Sequence, residues 1–64
     1  MAYQVEFKAL KTGEWYTKGT YPLNVARSVA LCNNNGRAYR ITDTETDSVI
    51  EEEEAKATYE ELYG

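Results

Sequence analysis

Apolar and polar positions alternate strictly near the start of the chain, where Tyr3, Val5, Phe7 and Ala9 are separated by Gln4, Glu6 and Lys8. A period of two predicts a strand with one buried face. Lys11-Thr12-Gly13-Glu14 interrupts the pattern as a turn, with Gly13 supplying the positive φ. Aromatic and β-branched residues then return over 15–20, so a hairpin is expected, with Trp15 anchoring the core.

The period changes after Tyr21. Pro22 suits a helix entrance and Asn24 is the expected N-cap. Val25, Ala26, Val29, Ala30 and Cys32 recur at spacings of three and four and make one apolar stripe, which leaves Arg27 and Ser28 facing water. Asn33-Asn34-Asn35-Gly36 is a strong stop, because asparagine tolerates the left-handed conformation and glycine adopts it freely. A helix of about three turns is marginal alone in water, so it needs a sheet to lie on.

Alternation resumes over 37–43, with Tyr39 and Ile41 on one side and Ala38, Arg40 and Thr42 on the other. A polar turn over 44–47 leads to Ser48-Val49-Ile50, the start of a short fourth strand. The order is therefore ββαββ. This predicts an α+β fold, a mainly antiparallel four-stranded sheet with one helix packed on one face, and a core drawn from Val5, Phe7, Leu10, Trp15, Leu23, Val29, Tyr39, Ile41, Val49 and Ile50. Residues 1–50 form the compact domain in this reading. Residues 51–64 form a short acidic C-terminal helix, with Glu51 to Glu54 at its positive end and Ala55, Tyr59 and Leu62 on one face, or else a solvated acidic tail.

Charge sharpens that division. Residues 1–42 carry +4 and residues 43–64 carry −8, which together give the net charge of −4. A basic body with an acidic tail is the expected layout. The single cysteine, Cys32, excludes an internal disulfide, and its place on the stripe predicts a small buried hydrophobe. No signal-peptide pattern and no apolar run of membrane-spanning length is present, so a cytoplasmic protein is expected.

Catalytic and metal signatures are missing from the pattern. Without histidine there is no triad or dyad built on it, and one cysteine cannot supply a zinc site. Neither glycine-based phosphate cradle occurs. Asp43, Glu45 and Asp47 begin like a calcium loop, and Glu54 falls at its twelfth position, yet Ser48 stands where that loop requires glycine. The expectation is a non-enzymatic module with no cofactor and no metal.

Two surfaces are candidates for binding. The acidic segment, with Glu51, Glu52, Glu53, Glu54, Glu60 and Glu61, suits a basic groove on a partner protein. The open sheet face is expected to show Gln4, Glu6, Lys8, Tyr16, Lys18, Arg40 and Thr42. Lys8, Tyr16, Lys18 and Arg40 would there bind single-stranded nucleic acid by stacking and phosphate contacts. Self-association into a homodimer through sheet edges or open faces is the third expectation.

The stretch GEWYTKGTYPLNVARSVALCNNNGRAYRITDTETDSVI, covering about residues 13–50, resembles a pattern found in small phage and prophage accessory proteins. There an aromatic strand leads to an alanine-bearing helix, a strand of the type YRI-D and a hairpin into VI. Asp47 stands where that pattern commonly has a turn glycine. The resemblance implies a chain that binds and modulates a host protein or nucleic acid, and it transfers no functional residue.

Overall fold

The computed structural model describes residues 2–55, and the elements run β1 (Tyr3–Lys8), β2 (Trp15–Tyr21), α1 (Leu23–Asn33), β3 (Tyr39–Asp43) and β4 (Ser48–Glu53). All three strand pairings are antiparallel, and the sheet order is β2-β1-β3-β4. The two hairpins are thus joined through the pairing of β1 with β3, and helix α1 makes the connection. Glu60 and Glu61, Tyr59 and Leu62, and with them the body of the expected C-terminal helix, lie outside the described residues.

The helix covers one sheet face, packing on β1 and β3 and touching β2. Ala26 and Ala30, four apart, are fully buried against Val5, Phe7, Tyr39 and Ile41. Methyl side chains at the contact let the helix backbone approach the sheet closely. Burial of Phe7, Ile41 and Val5 contributes roughly 1.5–3 kcal/mol each. Tyr3, Tyr21 and Val29 close the margins of this core.

The stripe is narrower than its spacing predicts. Ala26, Val29 and Ala30 face inward as expected, but Val25 and Cys32 are exposed, and so is Leu31 at 68%. Cys32 is therefore a surface thiol and not a core hydrophobe. With the contact centred on Ala26 and Ala30, positions 25 and 32 fall on the helix's flank. The N-terminus also differs: Pro22 occupies the N-cap position, no side chain caps the first turn, and Asn24 lies inside the helix. At the other end the asparagines act as the sequence requires. The Asn34 amide donates to the Ala30 and Leu31 carbonyls, its oxygen accepts from the Gly36 N–H, and Asn35 and Gly36 take positive φ.

Both edge strands carry an irregularity. On β2 the register shifts so that Lys18 is the extra residue between Thr17, opposite Glu6, and Gly19, opposite Val5. Tyr21 folds over Gly19, where an added Cβ would stand 2.6 Å from the Tyr21 hydroxyl. On β4, Ile50 is the extra residue between Val49, opposite Thr42, and Glu51, opposite Ile41. Val49, opposite Thr42 on the open face, and Ile50, at the bulge, are exposed and outside the core. The β4 glutamates discourage pairing of that edge with a like-charged copy of itself.

Strand β4 continues past Ile50 through Glu53. Glu51, Glu52 and Glu53 are strand residues and not the first turn of a helix. Pairing with Ile41, Arg40 and Tyr39 holds them extended.

Candidate functional site

Cross-strand partners share a face, so the register decides what the open face displays. Gln4, Glu6 and Lys8 point away from the helix, and opposite them on β2 stand Thr20, Thr17 and Trp15. Trp15 is therefore an open-face residue, half-buried there, and not an anchor of the core. Tyr16 pairs with Phe7 on the helix side, with ring centroids 6.1 Å apart. The expectation of Tyr16 on the open face is thus reversed. Six residues separate Lys8 from Trp15, so even positions on β1 meet odd positions on β2 until the Lys18 bulge restores the phase. Lys18 sits exposed at that bulge.

Arg40 does lie on the open face, but its charge is already engaged. Its Nε and Nη2 donate to the two Glu6 carboxylate oxygens at 2.9 and 3.2 Å. Thr42 Oγ1 adds a long contact to Glu6 at 3.5 Å. The guanidinium also stands 4.2 Å from the centroid of the Trp15 ring. Its hydrogen bonds to Glu6 raise the Arg40 pKa, aided by the charges of Glu6 and Glu52 and opposed by burial. With Lys8 and Arg40 balanced by Glu6 and Glu52, this face is not a basic one. Lys8, Tyr16, Lys18 and Arg40 do not converge on one surface.

The four glutamates expected to bind a partner are divided between faces. Glu52 lies opposite Arg40 on the open side, whereas Glu51 and Glu53 lie opposite Ile41 and Tyr39 on the helix side. Glu51 is taken by Arg27, whose Nε donates to it at 2.5 Å from the outer flank of α1. Burial, then the Glu53 and Glu51 charges, raise the Tyr39 phenol above its ordinary 10.0.

A notch opens at the end of the sheet where β3 is shortest. Its ladder with β4 ends at Tyr39 opposite Glu53, while the chain runs on through Glu54 and Ala55. Lys8 N–H reaches Ala38 O at 2.9 Å, and the β1–β2 turn closes through Ala9 N–H to Glu14 O and Gly13 N–H to Ala9 O, both at 2.8 Å. The space between turn and overhang is about 510 Å³ and broadly open. Leu10, Trp15 and Ala38 give it apolar surface, and Lys8, Glu52, Glu53 and Glu54 also line it. Leu10 and Trp15, expected in the core, line this notch instead, and the length of the first hairpin loop was the signal that could have placed Trp15.

Asp43, Glu45 and Asp47 occupy the second hairpin turn, where Asp43 Oδ1 accepts the Glu45 N–H at 2.9 Å and Asp47 takes φ 58°. Among the described residues, no group of three acidic or cysteine side chains is arranged to hold a metal ion. No helix among them is long and apolar enough to cross a membrane.

Fold and site together define a small α+β chain with a single helix on a four-stranded antiparallel sheet, one open sheet face and one acidic edge. No family model matches the chain, and no curated protein or solved structure matches it.

Proposed function

We propose that this chain is a non-enzymatic interaction module that binds a protein partner through the acidic side of its sheet. The observation that carries the reading is the placement of Glu52, Glu53 and Glu54. They lie on an edge strand and its overhang and line one notch together with Trp15 and Leu10. An edge strand offers backbone groups to an extended partner segment, the notch offers apolar area, and the carboxylates steer a basic partner toward both. Glu51 contributes less, because Arg27 already neutralises it. Glu60 and Glu61, outside the described residues, add two further negative charges in the sequence.

The test is affinity capture from the source cells with matched variants. Glu52→Gln/Glu53→Gln/Glu54→Gln should lose the captured protein, and Lys18→Gln/Arg37→Gln should keep it. Titration with single-stranded and duplex oligonucleotides accompanies the capture, with no binding expected. Salt-sensitive oligonucleotide binding lost on Lys18→Gln would replace this reading with the nucleic-acid one.

A further inference from the structure

We infer that Asn35 and Gly36 form a self-modification site, where the Asn35 side chain loses its amide to ring closure by the Gly36 nitrogen and passes to aspartate and isoaspartate. The conversion loosens the junction between α1 and β3.

The chemistry needs only hydroxide and water. The Gly36 backbone nitrogen, once its proton is taken by hydroxide, bonds to Asn35 Cγ. The bond from Cγ to the side-chain nitrogen breaks, and ammonia leaves with a returned proton. A cyclic succinimide remains, with the former Asn35 main-chain carbonyl and Cγ both bonded to the Gly36 nitrogen. Water then opens one of those two bonds. Opening at Cγ gives aspartate on the ordinary backbone, and opening at the main-chain carbonyl gives isoaspartate, whose backbone runs through the side chain. Either route consumes water, releases ammonia and oxidises nothing.

Among the four asparagines, the structure favours one. Asn24 lies inside α1 and precedes β-branched Val25, which crowds the attacking nitrogen. Asn33 is held in the last turn, its amide donating to the Val29 carbonyl at 3.0 Å. The Asn34 amide is pinned to the Ala30 and Leu31 carbonyls. Asn35 is exposed, its side chain makes no hydrogen bond to a described residue, and Gly36 presents no Cβ to obstruct the approach. Asn35 and Gly36 are the central residues of a turn closed by Arg37 N–H donating to Asn34 O at 2.8 Å, and φ values of 51° and 79° give it the type I′ pattern.

The turn also restrains the reaction. Gly36 N–H donates to Asn34 Oδ1 at 2.9 Å, so the nucleophile is free only when that contact opens. Rotation of Asn35 toward the ring breaks the Arg37 bond as well. The products strain the same place. A carboxylate just past the end of α1 meets the negative end of the helix dipole, and isoaspartate inserts an extra backbone carbon into a turn fitted to its closing bond.

Full-length protein held at neutral and mildly alkaline pH, sampled over time and digested with trypsin, tests the site. Cleavage after Lys18, Arg27 and Arg37 places Asn24 in fragment 19–27 and the other three asparagines in fragment 28–37, where fragmentation masses locate the exchange of NH2 for OH. Conversion should fall on Asn35, rise in proportion to hydroxide and be absent from fragment 28–37 of Asn35→Gln. Enzymatic methylation of isoaspartate should mark part of the product. The native rate should lie below that of the guanidinium-unfolded chain by no more than about a hundredfold, the combined weight of two net hydrogen bonds. The isoaspartyl form, isolated by ion exchange, should unfold at lower denaturant than the parent.

Conversion at another asparagine ahead of Asn35, or a native rate further below the unfolded one, would overturn the site. An isoaspartyl form with the parent's unfolding midpoint would overturn the loosening of the junction.

Discussion

The Arg40 guanidinium lies 4.2 Å from the centre of the Trp15 ring although β1 runs between their strands. Glu6, on β1 and directly opposite Arg40, draws the arginine toward β2 through two hydrogen bonds. The three side chains tie β2, β1 and β3 together on the face that the helix leaves open. They hold the flat side of the sheet in register where no hydrophobic core does so.

Removing Glu6 should therefore be costly for a surface substitution. Glu6→Gln keeps the shape but removes the negative charge, and a loss of about 1–2 kcal/mol is expected, above the value for a fully exposed pair because both partners are partly buried. Urea unfolding measures it. Arg40→Ala should cost a similar amount and also change Trp15 emission in the native state. A loss under about 0.3 kcal/mol in both variants, within the noise of neutral surface changes, would show that the pair is ornamental.

The helix contact predicts a sharp contrast between neighbouring positions. Ala26→Leu inserts three carbons where the helix meets the sheet, and overpacking there should cost about 1–3 kcal/mol. Leu31→Ser changes an exposed side chain and should stay within about 0.5 kcal/mol of the parent. Thermal unfolding of the pair tests which face of the helix is buried.

Cys32 should react as a surface thiol. Labelling of the native protein with a neutral thiol reagent is expected at a rate within about tenfold of the urea-denatured chain, since no burial shields it. Protection by several orders of magnitude would return Cys32 to the core.

Left-handed backbone at Asn35 and Asp47 makes the side chain at each position a matter of conformational cost. Asn35→Ala and Asp47→Ala should each destabilise by about 1 kcal/mol, and the corresponding glycine variants should match or exceed the parent. Chemical denaturation of the four variants gives the order.

Alkaline pH should weaken the fold through Tyr39. Its folded-state pKa is raised above 10.0, chiefly by burial, so the neutral phenol is favoured in the native state. That stability is complete below pH 10 and is lost as pH rises through the folded-state value. Unfolding free energy of the parent should fall above pH 10, and Tyr39→Phe should flatten the fall.

The elements were largely legible in the sequence because their periods are clean. Alternation in Tyr3 to Lys8 and in Tyr39 to Asp43, together with the Asn33–Gly36 stop, places three of the five elements within one or two residues of their observed bounds. The faces were less legible. Trp15 and Tyr16 exchanged sides because a six-residue connection sets the phase of β2, and a bulge at Lys18 resets it. The glutamates from 51 to 53 read locally as a helix start, yet pairing with β3 makes them a strand, a case of tertiary partners overriding local preference. The notch depends on β3 being shorter than its neighbours, which no local pattern encodes.

The most direct test of the central claim is zero-length carbodiimide cross-linking of the captured complex, with the joined residues located by mass spectrometry. The account predicts links from Glu52, Glu53 or Glu54 to lysines of the partner, and loss of those links in the triple glutamine variant. Partner links confined to Glu45 and Asp47 in the second hairpin turn, or to Lys18 at the β2 bulge, would contradict it.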